Sequence, residues 1–210
     1  MRADIAPLRG AGLKDHGRLP WPAPHELDAG ARALYDRIAG GVRAQGPQAF
    51  ALTDEDGRLH GPFNALLVSP EIGTAIQELG AAIRYKSGLT ARAREIAILE
   101  LSVLRRSAFE WYAHERVGKQ AGLTDAEIAA LHAGVTAPTL DATETLVREL
   151  VRTLVRERDL DDVTFARAEN AVGERVLMDV IALVGYYDLL ALSLRVWRTP
   201  LPAGAEAPFG

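Results

Sequence analysis

Two segments predict most of the fold of this 210-residue chain: Arg94-Glu95-Ile96-Ala97-Ile98-Leu99 and Ser107-Ala108-Phe109-Glu110-Trp111-Tyr112-Ala113-His114. In a helix, Ser107, Glu110 and His114 have the spacing i, i+3, i+7 and therefore share one face. That face is the less charged one, because most of the charged residues after His114 point the other way. An acid and a base that point inward either satisfy each other as a buried pair or move protons on a bound molecule.

Helix start and stop signals recur along the rest of the chain. Ser69-Pro70 and Thr90 are typical N-terminal positions, and Thr124 to Glu127 and Asp141 to Glu144 are capping boxes. The sequence shows no alternation of strands and helices, so it predicts an all-α fold of about eight helices with short turns. The predicted helices lie near residues 25–43, 70–85, 141–156, 163–171 and 174–197. One more begins at Thr90, one runs from Ser107 to Gly122, and one begins at Thr124. Residues 50–59 predict a short hairpin or an irregular loop.

The chain divides into one domain and two flanking segments. Residues 1–24 are rich in proline, glycine and arginine and predict an N-terminal arm. Residues 25–200 predict a single all-helical domain, followed by a C-terminal tail over residues 201–210.

Composition and charge exclude several function classes. The net charge is −4, and no cluster of basic residues indicates nucleic-acid binding. The chain has no cysteine, which excludes thiol catalysis and thiolate metal sites, and its histidines lack metal-ligand spacing. No metal and no cofactor are expected. The first residues lack the apolar core of a signal peptide, so we expect a cytoplasmic protein.

The apolar segment 176–194 is about long enough to span a bilayer. It contains Asp179 and Asp188, however, and each would cost roughly 2.5–3.5 kcal/mol near a membrane centre. We therefore expect no membrane insertion, and predict a central helix that is buried on most sides, partly by another subunit.

The block from His60 to Thr124 resembles the carboxymuconolactone decarboxylase family, whose fold is shared with alkylhydroperoxidase D. The resembling features are Ser87-Gly-Leu-Thr-Ala-Arg-Ala-Arg-Glu95, then Glu110-Trp111 and His114, then Ala121-Gly-Leu-Thr124. The resemblance implies an all-helical domain that associates into dimers, trimers or hexamers. It also implies an active-site cavity lined by the helices that carry these motifs.

The chain departs from the peroxidase branch of that family at two positions. That branch has a Glu, a Cys-x-x-Cys motif and a His, and the pattern falls here on Glu95, Ser107, Glu110 and His114. Neither Ser107 nor Glu110 can form a disulfide, so the chain is not a thiol peroxidase. The resemblance then implies the decarboxylase-like branch, which uses no thiol and no cofactor.

The predicted chemistry is proton transfer on a small carboxylated or lactone substrate, in a decarboxylation or an isomerisation. His114 and Glu110 are the predicted acid and base, and Glu95 is the predicted orienting group or second base, with Arg92, Arg94 or His114 as its neutralising partner. Glu100 on the same helix is a rival to Glu95. The alternative function is a non-catalytic oligomeric binding or scaffold protein.

The predicted substrate-binding residues are Ser107, Trp111 and Phe63. Each has a structural alternative: Ser107 as a helix N-cap, and the two aromatic residues as core. Tyr186 and Tyr187 are expected to serve in packing or subunit contact. The basic stripe of Arg148, Arg152 and Arg156 predicts a solvated face or a row of ion pairs.

Overall fold

The computed structural model describes residues 16–41, 45 and 51–209. This part of the chain contains eight α-helices and one short 3-10 helix, and an isolated antiparallel bridge joins Thr53 and Leu59. The α-helices are α1 (Ala29–Ala39), α2 (Pro62–Leu66), α3 (Pro70–Lys86), α4 (Ala91–Arg105), α5 (Ala108–Gln120), α6 (Asp125–His132), α7 (Ala142–Glu157) and α8 (Asp162–Trp197). The predicted all-α class is confirmed.

Local capping fixes most of the helix ends. The Thr90 side chain accepts from the Ala93 amide at the start of α4, and both predicted capping boxes form, at the starts of α6 and α7. Asp28 caps α1 by accepting from the Ala31 amide, so this helix is shorter than the predicted 25–43. Ser69 precedes α3 as predicted, but its side chain makes no capping hydrogen bond.

α8 consists of two helical segments joined at Gly173, whose φ of 78° lies in the left-handed region. The break falls between the predicted helices 163–171 and 174–197. A left-handed backbone is accessible to glycine because it has no Cβ. The helix axis therefore changes direction at Gly173, and residues on both sides of it pack into the same hydrophobic cluster.

α4 is the central helix of the fold and packs against α5, α6, α7 and α8. Its residues 95–102 are all buried, as expected for a helix surrounded by others. The largest hydrophobic cluster joins α3, α4, α7 and α8, and a second one holds α1 and α2. Two of the buried residues of α4 are the glutamates Glu95 and Glu100. A buried carboxylate needs a positively charged or hydrogen-bonding partner.

Arg92 joins α4 to the two capping-box glutamates. Its guanidinium lies 2.9 Å from the Glu127 carboxylate and 2.7 Å from the Glu144 carboxylate. The hydrogen bond from Arg92 lowers the pKa of Glu127 to about 2. This bridge sets the position of α4 relative to α6 and α7.

The segments around the domain are described in part. Within the predicted N-terminal arm, residues 1–15 lie outside the described residues; the Arg18 amide donates to the carbonyl of Trp197, and the Trp21 indole donates to that of Leu59. The Thr53–Leu59 bridge favours a tight hairpin for residues 51–59, while Phe50 lies outside the described residues.

α8 is long and apolar enough to cross a membrane, judged by length and composition alone. The core helix of a soluble protein meets the same criteria, and the inner side of α8, including Leu177, Val180 and Leu183, is buried against α4 and α7. Its other side exposes apolar side chains, namely Met178, Ile181, Leu189, Leu192 and Val196.

Candidate functional site

His114 lies between two carboxylates at the contact of α4 and α5. Its Nδ1 donates to Glu95 Oε2 at 2.6 Å, and its Nε2 lies 3.5 Å from Glu110 Oε2. Glu95 is fully buried, and Glu110 and His114 are 3% and 7% exposed. The structure thus brings the three predicted catalytic residues together, and the closest partner of His114 is on the neighbouring helix.

Glu95 is held as a carboxylate despite its burial. Burial alone raises its pKa, but the charge and hydrogen bond of His114, with the charges of Arg94 and Arg84, outweigh this and leave the pKa below its ordinary value. Arg94 Nε lies 3.3 Å from Glu95 Oε1. The neutralising partners of Glu95 are therefore two of those considered from sequence, whereas Arg92 serves other glutamates.

Tyr187 forms another wall of the site. Its ring meets the His114 ring edge-on, with 5.2 Å between centroids, and Tyr186 packs edge-on against Tyr187 at 5.1 Å. The sequence predicted packing or subunit contact for both tyrosines, and it did not predict the contact of Tyr187 with His114. The only available signal was that two tyrosines on a buried helix need partners for their polar ends.

Glu100 points away from this cluster. Its carboxylate accepts from Arg148 Nε at 2.7 Å and from Arg152 Nη1 at 2.6 Å. Two of the three arginines in the stripe on α7, Arg148 and Arg152, thus form ion pairs with Glu100. Glu95, and not Glu100, faces His114.

Ser107 precedes α5 at the N-cap position, yet its side chain makes no capping hydrogen bond. Ser107 is buried, and its Oγ has no hydrogen-bond partner among the described residues. It lines a surface cavity of about 360 Å³ at the start of α5. The predicted substrate contact at Ser107 stays a prediction.

Trp111 and Phe63 both have packing roles. Trp111 belongs to a cluster of α4, α5 and α6 side chains, and its ring meets His132 edge-on at 4.9 Å. Phe63 belongs to the cluster around α1 and α2. Their predicted substrate contacts stay predictions, and the core alternative accounts for their burial.

Four cavities lie in the part of the chain that the structure describes. One of them, of about 790 Å³, is lined among others by Trp21, His60 and Trp197. Within the described part of the chain, Ser107 lines one cavity and Trp111 another, whereas Glu95, Glu110 and His114 line none of them.

The site can transfer protons. Because Glu95 is ionised, the His114 Nδ1 is the donor in their hydrogen bond, and this fixes the orientation of the ring. The other nitrogen, Nε2, faces Glu110. A proton can be held by either Nε2 or the Glu110 carboxylate, and the buried Glu95 stabilises the charged imidazole. Within the described residues no group of three or more His, Asp or Glu side chains could hold a metal ion.

The chain is similar to known proteins in both sequence and fold. A profile of the Carboxymuconolactone decarboxylase family matches residues 70–153, which include α3, α4, α5, α6 and most of α7. No curated protein matches the chain.

Solved structures share the fold at low sequence identity. An uncharacterized peroxidase-related protein with an alkylhydroperoxidase AhpD core, from Ralstonia eutropha JMP134, is 13% identical with a TM-score of 0.72, over 90% of this chain and 94% of that chain. An uncharacterized peroxidase-related protein from Silicibacter sp. TM1040 is 14% identical with a TM-score of 0.69, over 92% and 96%. A cysteine-to-alanine variant of the debrominase Bmp8, in complex with 2,3,4-tribromopyrrole, is 12% identical with a TM-score of 0.61, over 71% and 79%. Residues 70–153 of this cysteine-free chain thus match the carboxymuconolactone decarboxylase family model, and the chain has an alkylhydroperoxidase D-like fold.

Proposed function

We propose that this chain is a cofactor-free lyase or isomerase that transfers protons on a small carboxylated or lactone substrate. The observation that carries the proposal is the placement of His114 between Glu95 and Glu110 in a buried wall. A small-molecule role is supported by the family match and by the debrominase that has the same fold. The absence of cysteine excludes thiol chemistry.

The residues have distinct roles in the proposed reaction. In a decarboxylation, the bond from the substrate carbon to its carboxylate breaks, carbon dioxide leaves, and the electron pair enters the conjugated system of the substrate. The His114 Nε2 proton is then delivered to carbon, with Glu110 as its exchange partner. In an isomerisation, Glu110 or Nε2 takes a proton from one carbon and returns it to another. Glu95 orients the ring and stabilises the imidazolium in both cases.

We also propose that the protein is a cytoplasmic homo-oligomer. The apolar side chains exposed on α8 are the observation that favours association, because exposed apolar patches on one face usually mark an interface. Light scattering at micromolar concentration tests this proposal, and a monomer would contradict it.

The second candidate function is a non-catalytic binding or scaffold protein. It is favoured by the burial of Glu95, Glu110 and His114 and by the absence of these residues from the cavities described above. In that case the cluster is a structural ion pair, and its loss acts on folding alone.

Two variants separate these functions. If His114 and Glu110 transfer protons, His114→Gln and Glu110→Gln will each lower turnover by about 10²- to 10⁴-fold while the protein stays folded. Turnover is measured by carbon dioxide release and by ultraviolet absorbance on a set of lactones and unsaturated carboxylic acids. Melting temperature is measured on the same samples.

The matched control is Glu115→Gln on the same helix, whose carboxylate pairs with Lys119 at the surface. It is expected to keep full turnover. Normal turnover in both folded test variants would contradict the catalytic roles. A loss of activity that follows only from unfolding would support the scaffold.

A further inference from the structure

One side of the second segment of α8 exposes apolar residues only. Between residues 176 and 194, the exposed residues of this helix are Met178, Ile181, Gly185, Leu189 and Leu192. They recur every three or four positions, so they form one continuous row along the helix, which we call the α8 stripe. The stripe is about 21 Å long at 1.5 Å per residue, and it contains no charged side chain. An exposed apolar row of this length usually marks a contact surface.

The α8 stripe is symmetric in sequence about Gly185. Ile181 and Leu189 lie four positions before and after this glycine, and Met178 and Leu192 lie seven positions before and after it. When a two-fold axis relates two antiparallel helices, each residue meets the residue at the same distance on the other side of the axis. An axis at Gly185 would bring Ile181 of one protomer to Leu189 of its partner. Met178 would meet Leu192 in the same way, so every apolar side chain of the stripe would be covered.

The close approach of another helix also explains Gly185 itself. This glycine lies inside a helix, where it is less favourable than alanine because it loses more conformational freedom on folding. A Cβ built at this position would lie in open space, with no described atom of the rest of the chain within 4 Å. The packing of the chain itself therefore does not require a glycine here. A second backbone can approach most closely at this position, which is the centre of symmetry of the stripe.

The two halves of the α8 stripe differ in shape. A surface groove of about 590 Å³ lies at the C-terminal half, and Gly185, Leu189 and Leu192 are among the residues that line it. Met178 and Ile181, in the N-terminal half, are 60% and 42% exposed and line none of the four cavities. In an antiparallel pair, the exposed side chains of each N-terminal half face the groove of the other protomer. A parallel pair would set groove against groove, so shape complementarity favours the antiparallel pair.

The groove also has charged residues in its lining, and these have partners within the chain. Asp188 pairs with Arg105 and accepts from Arg158 at 3.0 Å. Arg195 donates to a backbone carbonyl of α4 at 2.7 Å, and the Arg106 guanidinium lies over an aromatic ring of the C-terminal tail. Covering the groove therefore leaves each of these charged groups with a partner. The arginine stems are themselves apolar, and a flexible methionine side chain can pack along them.

The charges at the two ends of the α8 stripe fit the antiparallel arrangement. Glu174 lies eleven positions before the centre of the stripe, and Val196 lies eleven positions after it, beside Arg195. The pairing therefore places Glu174 of one protomer near Arg195 of its partner, at both ends. Arg175 comes to the same level, but it donates to the backbone carbonyl of Lys86 at 3.4 Å. A parallel pair would instead set like charges against each other at both ends.

We propose that the α8 stripe is the contact surface of a homodimer, in which two copies of this chain pair as antiparallel helices about a two-fold axis at Gly185. The inference rests on the proposed homo-oligomer and names the surface that joins its subunits. The pairing is closed, because both protomers use the same surface and none of the stripe is left uncovered. Larger assemblies would join such pairs through other surfaces.

Cross-linking tests this arrangement, since the chain has no cysteine of its own. In Gly185→Cys the two introduced thiols meet at the axis, so mild oxidation should convert most of the protein to a disulfide-linked dimer on a non-reducing gel. Met178→Cys is the matched control on the same stripe, because the two copies of position 178 lie about 21 Å apart in the antiparallel pair. It should give no cross-link alone, whereas Met178→Cys combined with Leu192→Cys should give one.

The outcomes separate this inference from the proposed oligomer. Equal cross-linking of Gly185→Cys and Met178→Cys would overturn the antiparallel pairing, since only parallel helices bring the two copies of both positions together. No cross-link at Gly185, in a protein that light scattering shows to be an oligomer, would overturn this inference and leave the proposed oligomer in place. A monomer by light scattering would overturn both. Cross-linking is read without a substrate, so it does not depend on the proposed reaction.

A charged substitution tests the strength of the contact. Ile181→Glu would place a carboxylate against Leu189 of the partner protomer, so it should raise the dissociation constant of the dimer by at least about tenfold, as measured by sedimentation equilibrium. Ile181 is exposed, so the fold is expected to survive, as circular dichroism will check. The control is Val163→Glu on the first segment of α8, which is 79% exposed, lies outside the stripe and should leave the constant unchanged. Equal effects of the two variants would overturn the proposal.

A lipid surface is the competing occupant of an exposed apolar helix face. Sedimentation of the unchanged protein with phosphatidylcholine vesicles tests this alternative, and no binding is expected. Binding to the vesicles that Ile181→Glu abolishes and Val163→Glu preserves would assign the α8 stripe to a membrane and overturn the proposal.

Discussion

Glu95 and Glu100 lie on the same helix, five residues apart, and both are completely buried, yet they have opposite surroundings. Glu100 accepts from two guanidinium groups of α7. Glu95 accepts from one imidazole of α5, with Arg94 at 3.3 Å. Five residues in a helix correspond to a rotation of about 140°, so the two carboxylates face different neighbours.

Glu95 and Glu100 are equally buried, so burial does not distinguish them. What differs is the partner of each carboxylate, which is a pair of guanidinium groups for Glu100 and an imidazole for Glu95. A guanidinium does not lose its proton, so the Glu100 cluster has one fixed charge state. An imidazole has an ordinary pKa near 6.5 and can gain or lose a proton under physiological conditions. Glu100 therefore stabilises the packing of α4 on α7, while Glu95 pairs with the imidazole to which we assign proton transfer in the proposed function.

The largest expected effect is on the Glu100 side. Glu100→Gln should lower the free energy of unfolding by about 3–5 kcal/mol, because it leaves the buried Arg148 without a compensating charge. Urea denaturation followed by circular dichroism measures the change. Glu149→Gln on the same packing partner is the control, since Glu149 pairs with Arg167 at the surface, and it should change stability by less than about 1 kcal/mol. Equal losses in the two variants would mean that Glu100 is not the anchor of α7.

A smaller effect is expected for Glu95→Gln, of about 1–3 kcal/mol, because neutral His114 can keep a hydrogen bond to the amide oxygen. The loss should also depend on pH. Since folding lowers the pKa of Glu95 from its ordinary value of 4.5, the carboxylate stabilises the folded state fully above that pH.

This contribution is lost as the pH falls through the folded pKa of Glu95. The difference in unfolding free energy between the unchanged protein and Glu95→Gln should therefore shrink as the solution is acidified below pH 4.5. Denaturation curves from pH 7 downward measure it, with Glu149→Gln as a surface control. A difference that grows on acidification would contradict the assigned charge of Glu95.

The smallest expected change in unfolding free energy is that of Arg152→Gln, which tests how much each arginine contributes to the cluster around Glu100. Arg152→Gln should cost only about 0.5–1.5 kcal/mol, since the Arg152 side chain is 26% exposed and Glu100 keeps its bond to Arg148. Arg156→Gln, one turn further along α7 and exposed, is the control and should be close to neutral. A cost for Arg152→Gln as large as that for Glu100→Gln would mean that the two arginines act as one unit.

The sequence by itself determined the class of the fold and predicted the three polar residues of the candidate site, Glu95, Glu110 and His114. Capping boxes at Thr124 and Asp141 depend on side chains three residues apart, and the shared face of Ser107, Glu110 and His114 follows from helical periodicity alone. These are local relations, so they survive without knowledge of the packing. The absence of cysteine excluded thiol chemistry in the same direct way.

Only the tertiary structure decided which charges meet. His114 pairs most closely with Glu95 across a helix contact, and not with Glu110 on its own helix. Arg195 likewise donates to the backbone carbonyl of Arg105, which lies 90 positions earlier in the chain. Such contacts depend on how far each helix is rotated about its axis when it packs. That rotation is set by the fit of many side chains together, and no short stretch of sequence contains it.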